Sequence, residues 1–190
     1  MGTAAITTAF AAVLTAAGWL VTHILSVRAE REKQRAIGHL SFVEKQLEGL
    51  YGPLVLLVLE GRSTFRDLLS NLGRGYVFSG TQPLSKEDLS LWLFWVDNDF
   101  MPRNQRIQEL LAGKSHLIHG NEIPESYLTF LDHYNSWQIT HKRYKEEGVP
   151  YQWHSKANWP KQFEDDIICT FRELKETQAK LIGLIVSESH

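Results

Sequence analysis

The fold is decided by residues 40–59, LSFVEKQLEGLYGPLVLLVL. In the first half, leucine and valine recur at spacings of three and four, which is typical of the apolar face of an amphipathic helix. Gly52-Pro53 then predicts an interruption, because proline has no backbone N–H and disfavours helix at the residue before it. Pro53 can occupy the first turn of a new helix, and the apolar run after it is too short to cross a membrane. We therefore predict two helices that meet at Gly52-Pro53.

Upstream of this stretch, residues 1–27 contain no Asp, Glu, Lys or Arg. A helix needs roughly 20 apolar residues to span the hydrocarbon of a bilayer. Arg28, Arg31, Lys33 and Arg35 follow directly, and this order is the reverse of that in a secretory signal peptide. Because Lys and Arg accumulate on the cytoplasmic side, we expect one transmembrane helix with its N-terminus outside and the remaining chain in the cytoplasm.

Downstream, helix signals recur at intervals. Ser85 followed by Asp88 resembles a capping box, and Pro124 opens a helix with an aromatic stripe at helical spacing. Pro102 predicts a break, Gly113 and Gly148 predict helix ends, and a last helix should begin near Pro160. No segment shows the alternation of a strand. We predict an all-α protein with an N-terminal transmembrane helix and a four- or five-helix bundle, divided into an anchor (1–27), a juxtamembrane stalk (28–52) and a cytoplasmic bundle domain (53–190).

The composition excludes several classes of protein. The chain has 190 residues, enough for one domain with a sizeable core. Its 20 Lys+Arg and 22 Asp+Glu give a net charge of −2, which argues against a general nucleic-acid partner. A single cysteine, Cys169, excludes an intrachain disulfide framework and a zinc site built from several cysteines.

Histidines offer the main candidate for a metal site. His116 and His119 could share a metal if they lie on one helical turn, with His133 or Asp132 as a further ligand. However, Gly113 and Gly120 bracket the pair and predict a loop, so we interpret these histidines as structural and expect no cofactor. His141 lies within an aromatic stripe and is predicted to be a core histidine with a hydrogen-bond partner. The carboxylates of Asp97–Asp99 lack the glycine and glutamate of a calcium loop and are interpreted as caps of the helix at Pro102.

Aromatic side chains are the other notable feature, with six tryptophans in the chain. Two lie in an apolar helix and two lie with a tyrosine in the loop before the last helix. Two interpretations stay open: the residues cover the core of the bundle, or they form a surface that binds a partner protein, since Tyr and Trp dominate interface anchors. The candidates for partner binding are Trp92, Trp95, Tyr151, Trp153 and Trp159.

Four short motifs resemble an uncharacterised family of small bacterial proteins that have a membrane helix followed by a helical domain. These motifs are LYGPL (50–54), FMPRN (100–104), HLIHG (116–120) and NWP (158–160). The resemblance implies the architecture and a location in the bacterial inner membrane. It implies no activity, ligand or catalytic residue, because the motifs consist of turn and packing residues.

Together, these patterns favour a single-pass membrane protein whose cytoplasmic bundle acts as an interaction or regulatory module. Its expected partners are the lipid bilayer and another protein or a second copy of itself. Two alternatives remain: a membrane-tethered metal-dependent hydrolase that uses the region of His116 and His119, and a small oligomeric effector that acts on the membrane through its Ala/Thr-rich span. No Ser-His-Asp or Cys-His arrangement can be assembled from the spacing.

Overall fold

The computed structural model describes residues 2–78, 84–151 and 159–187, and in these ranges every regular element is helical. The α-helices are α1 (Gly2–Gln46), α2 (Gly52–Leu72), α3 (Lys86–Trp95), α4 (Met101–Gly113), α5 (Glu125–Glu147) and α6 (Lys161–Ser187). A π-helical turn at Leu47–Tyr51 joins α1 to α2, and another at Val96–Phe100 joins α3 to α4. The described chain therefore forms four continuous helices, which confirms the all-α prediction.

The predicted breaks at Gly52-Pro53 and Pro102 are wrong. Each proline follows a π turn without a break in the helix, and Gly52 has helical angles (φ −60°, ψ −56°). The N–H of Gly52 bonds to the carbonyl of Leu47, five residues back, and a Cβ on Gly52 would lie 2.7 Å from that oxygen. Real Cβ contacts are not this short, so glycine is needed at this position. The wider π turn takes up the disturbance that a proline introduces into an α-helix, so the chain continues instead of stopping.

The predicted helix ends are confirmed. The hydroxyl of Ser85 accepts a hydrogen bond from the N–H of Asp88 at 3.0 Å, as an N-cap does. Helix α5 starts directly after Pro124 and ends at Gly148. Gly148 adopts the left-handed conformation (φ 67°) that favours glycine at a helix C-terminus.

By their contacts, the residues divide into two compact units, Met1–Val43 with Thr177–His190, and Glu44–Glu176. In the first unit, all residues of α1 from Ala17 to Ser26 are exposed. In the described part of the chain, no helix combines the length and the apolar character that a membrane crossing requires.

The unit Glu44–Glu176 has its own apolar core. Helix α4 packs against both α2 and α5, and α3 packs against α2. One cluster joins α2, α3 and the second π turn, and its buried members are Leu68, Val77, Trp92, Val96 and Phe100. At the other side of α5, Phe130 stacks on Phe163 of α6, with ring centroids 4.5 Å apart. This packing fixes α2, α4 and α5, which carry the two grooves described below.

Candidate functional site

A groove of about 540 Å³ lies between α2 and α4. Leu56, a groove residue, is 63% exposed. The apolar lining comes from Pro53, Leu56, Leu57 and Leu110, and the charged lining from Glu60, Arg106, Glu109 and Lys114. The groove thus combines an apolar centre with charged edges, the arrangement in which protein surfaces accept an amphipathic helix.

Two contacts show that the chain segments on the two sides of the groove are antiparallel. The first is between Gly49 and Leu117, where a Cβ on the glycine would lie 3.1 Å from the leucine Cδ1. The second is between Gly61 and Arg103, where a Cβ on the glycine would lie 3.1 Å from Nε. As the residue number increases along α2, the number of the residue opposite it on the other side of the groove decreases. The lining residues follow the same register, with Leu56 opposite Leu110.

The edge of the groove carries exposed charged side chains of both signs. In the described ranges of the chain, Glu60, Arg106 and Lys114 make no ion pair and no side-chain hydrogen bond, whereas Glu109 accepts one from Gln105 at 2.8 Å. The antiparallel register places Glu60 opposite Arg106 across the groove. These charges are available to a molecule that enters the groove.

A buried arginine holds the two walls together. The guanidinium of Arg103 donates to the hydroxyl of Thr64 on α2 at 2.9 Å and to the carboxylate of Asp99 at 3.0 Å. It also lies over the ring of Phe100, 5.5 Å from the centroid. Buried charges are stable only when they are paired in this way, so this cluster is fixed. It makes the groove a preformed feature of the fold.

A second groove, of about 340 Å³, lies between α4 and α5 and contains a charged cluster. The carboxylate of Asp97 accepts hydrogen bonds from Nε2 of His141 at 2.8 Å and from Nζ of Lys145 at 2.6 Å. His141 is buried, so the prediction of a core histidine with a partner is confirmed. The prediction that Asp97–Asp99 cap a helix at Pro102 is wrong, because these residues form the π turn of a continuous helix.

The surroundings of Asp97 have opposing effects on its pKa. Partial burial acts to raise the pKa, but the hydrogen bonds and positive charges of Lys145 and His141 outweigh burial. The pKa of Asp97 is therefore held below its ordinary value of 3.8. On the far side of the imidazole, Nδ1 of His141 is buried and has no hydrogen-bond partner among the residues described. The ion pairs of Asp97 with His141 and Lys145 join α5 to the π turn.

Tyr151 is half-buried and packs against the apolar core of the unit. Its hydroxyl oxygen accepts two indole hydrogen bonds, from Nε1 of Trp92 at 3.2 Å and from Nε1 of Trp137 at 3.1 Å. Its ring packs edge-on against Tyr144, with the centroids 5.1 Å apart. Burial raises the pKa of Tyr151. The residue thus fixes the chain after α5 to the core.

The other tryptophans proposed for partner binding have different surroundings. Trp95 is half-buried and stacks on Phe100, with the centroids 6.2 Å apart. Trp159 is half-buried, packs edge-on against Phe130 and donates its indole N–H to Glu164. Trp153 lies outside the described residues. The packing of Trp92, Tyr151 and Trp159 favours the core-cover interpretation for these three side chains, and partner binding by this set stays a prediction.

The structure places the three candidate metal histidines in unlike settings. His116 and His119 are exposed on the turn after α4, and the backbone N–H of His119 donates to the hydroxyl of Tyr51 at 2.9 Å. His133 is buried against Trp137 and Trp159. In the described part of the chain, no group of three or more His, Cys, Asp or Glu residues could hold a metal ion.

The basic residues predicted to set membrane orientation all lie on α1. Arg28, Arg31 and Arg35 are exposed, and Lys33 is half-buried. They follow the exposed apolar segment without a break in the helix.

The residues of the α2–α4 groove were not predicted as a site. One signal for them was present in the sequence. The run LVLLVL at 54–59 is apolar on every side, but a helix that packs against one layer buries a single face. In the structure Leu54 and Val58 take that face, which leaves Leu56 and Leu59 exposed.

No protein-family model, curated protein or solved structure matches this chain. The resemblance to a family of small bacterial membrane proteins therefore stays a prediction.

Proposed function

We propose that the protein is a membrane-anchored interaction module that presents its helical unit on the cytoplasmic side of a bacterial inner membrane. In this proposal residues 1–27 form the anchor, and the α2–α4 groove binds a protein partner. The observation that carries the proposal is the exposed Leu56 in a preformed apolar groove with unpaired charges at its edge.

Two features of α1 support the anchor. Residues 1–27 carry no charged side chain, and the segment Ala17–Ser26 is exposed on all sides of the helix, including Trp19 and Leu25. A helix that is apolar all round is stable only when a core or a lipid phase surrounds it. The basic residues Arg28, Arg31 and Arg35 follow at the position where the cytoplasmic boundary of a membrane helix is expected.

The groove supports the interaction role for an energetic reason. Burial of apolar surface is worth roughly 25 cal/mol per Å², so an exposed leucine beside an apolar groove offers binding energy that the isolated chain leaves unused. Contiguous exposed apolar patches with a polar rim mark interaction sites. Here Leu56 forms the apolar centre together with Pro53, Leu57 and Leu110, while Glu60 and Arg106 supply the rim.

The test compares two substitutions that add a charge at equally exposed apolar positions. Leu56 lies in the groove and is 63% exposed, and Phe94 lies on α3 outside the groove lining and is 64% exposed. Full-length wild-type, Leu56→Glu and Phe94→Glu chains would be expressed in their native host, cross-linked in the membrane and purified in mild detergent. We expect at least one protein, quantified by mass spectrometry, to fall by about tenfold or more with Leu56→Glu alone, which corresponds to about 1.4 kcal/mol of binding.

Thermal denaturation followed by circular dichroism would show that all three chains are folded. If the wild-type and both variants recover the same proteins in the same amounts, and the same amount of a differently tagged copy of the chain, the groove is not a binding site and the proposal is wrong.

A further inference from the structure

We propose that the partner in the α2–α4 groove is a second copy of this chain, bound in a two-fold symmetric dimer. The inference deepens the proposed function and rests on it, because it names the molecule that occupies the same groove. It is carried by the charges at the groove edge, which are self-complementary.

The symmetry follows from the antiparallel register of the groove walls. A two-fold axis that lies in the interface and runs along the groove carries α2 of one copy onto α4 of the other. Since Glu60 lies opposite Arg106, this rotation brings Glu60 of each copy onto Arg106 of the partner subunit. Each contact occurs twice, as it must in an isologous interface. Both side chains lack an ion pair within the described part of their own chain, so both are available.

The same rotation matches the apolar centre of the groove. Leu56 of one copy meets Leu110 of the partner subunit, because these positions also lie opposite each other. At the end of the groove, Gly113 leaves open space: a Cβ built on it would have no neighbour within 4 Å. A side chain of the second copy fits there without displacing an atom of the first.

The charge pattern favours this axis over a two-fold axis that lies across the groove. An axis that lies across the groove would place α2 on α2 and α4 on α4 in antiparallel fashion. Arg106 of one copy would then approach Lys114 of the partner subunit, and like charges in contact oppose association. The edge also carries two acidic and two basic side chains, a balance that suits a copy of itself better than a strongly charged partner.

Membrane anchoring favours such a dimer. The groove lining spans only Pro53 to Glu60 on α2, so the contact is short. Two chains confined to one membrane have a high effective concentration, which converts a weak contact into a populated one. The experiment therefore uses the full chain in membranes.

The first test is a charge exchange between two copies that carry different affinity tags. We expect Glu60→Arg chains to lose co-purification with each other by about tenfold, and Arg106→Glu chains to do the same. Glu60→Arg chains mixed with Arg106→Glu chains should co-purify like wild-type, because every contact then pairs opposite charges. Arg66→Glu, at an exposed position of α2 outside the groove lining, is the control and should change nothing.

The second test is disulfide cross-linking of separate chains in a Cys169→Ser background. Glu60→Cys chains mixed with Arg106→Cys chains should cross-link on mild oxidation, since a disulfide requires Cα atoms about 4.4–6.8 Å apart. Arg66→Cys chains mixed with Arg106→Cys chains should not.

The outcomes separate the inference from the proposed function. If co-purification of the two copies is the same in all charge variants, the copies associate elsewhere and the groove dimer is wrong. If differently tagged wild-type chains do not co-purify and the Glu60→Cys and Arg106→Cys chains do not cross-link, but Leu56→Glu still removes another protein, the dimer is wrong and the proposed function stands. If Leu56→Glu removes no protein and leaves self-association intact, both are wrong.

Discussion

Gly61 of α2 and Arg103 of α4 lie so close together that a Cβ on the glycine would be 3.1 Å from Nε of the arginine. The arginine cannot withdraw, because Asp99 and Thr64 hold its guanidinium and the side chain is buried. The absence of a side chain at residue 61 is what lets α2 approach a buried charge on α4.

We expect Gly61→Val to lower the free energy of unfolding by about 1–3 kcal/mol, the usual effect of forcing atoms into a packed site. Gly38→Val is the matched control, because Gly38 is also inside a helix but a Cβ there has no neighbour within 4 Å. The control should change stability by no more than about 0.5 kcal/mol. Thermal denaturation of the full-length chain in detergent measures both, and equal effects of the two substitutions would contradict the role of Gly61.

The contact between Gly61 and Arg103 could not be read from the sequence, since it depends on which helices are neighbours. The helix ends at Ser85, Pro124 and Gly148 were predictable because caps are local features. The predictions of a break at Pro53 and at Pro102 were wrong because they used a local rule, that proline ends a helix, which takes no account of the π turn before each proline.

The groove was only partly predictable. The excess of apolar residues at 54–59 signals a second buried or bound face, but the sequence does not say which residues face outward. Leu56 is exposed because Leu54 and Val58 take the positions against the core. The opposition of Glu60 and Arg106 follows from the antiparallel register of two segments that are distant in sequence, so no spacing rule reveals it.

Removal of the Tyr151 hydroxyl should destabilise the unit. Tyr151→Phe leaves the indole N–H groups of Trp92 and Trp137 without their acceptor. A buried donor without a partner costs about 1–3 kcal/mol, and because this site is only partly buried we expect a total loss of about 2 kcal/mol. Tyr144→Phe is the control, since in the described part of the chain the Tyr144 hydroxyl has no hydrogen bond. If both variants melt at the same temperature, the two indole bonds do not contribute to stability.

The Asp97 ion pair should add stability that depends on pH. The pKa of Asp97 is lowered in the folded protein, so its contribution is present above the unfolded value of 3.8 and is lost as the pH falls through the folded value. The carboxylate is 34% exposed, which limits the effect to about 1 kcal/mol or less. Asp97→Asn should therefore be less stable than wild-type at pH 6, and the two should converge in acid. A difference that stays constant down to pH 2 would exclude the ion pair as its cause.

Tyr51→Phe and His119→Ala should have very different effects, although the two residues share a hydrogen bond. The Tyr51 hydroxyl accepts from the backbone N–H of His119, so only the tyrosine substitution removes the bond. We expect Tyr51→Phe to lower the free energy of unfolding by about 1–2 kcal/mol and His119→Ala to lower it by about 0.5 kcal/mol or less.

Zinc should leave the melting temperature of the wild-type unchanged. If zinc raises it, and His119→Ala abolishes the increase, the metal-dependent hydrolase becomes the leading hypothesis, because a metal that binds only the folded state stabilises it.

The orientation of the chain in the membrane should depend on the basic residues after the apolar segment. Positive charges close to a membrane helix are retained on the cytoplasmic side, and residues 1–27 contain no Lys or Arg. A fluorescent reporter that matures only in the cytoplasm, fused to the C-terminus, should be active, and a phosphatase that folds only in the periplasm should be inactive.

Replacing Arg28, Arg31, Lys33 and Arg35 together by Glu should move part of the population to the opposite orientation. The control replaces Lys142 and Arg143 of α5, far along the chain from the anchor, by Glu and should leave both reporters unchanged. An active phosphatase on the wild-type chain would show that the helical unit lies outside the cytoplasm, and full activity of the cytoplasmic reporter on the Glu variant would show that these residues do not set the orientation.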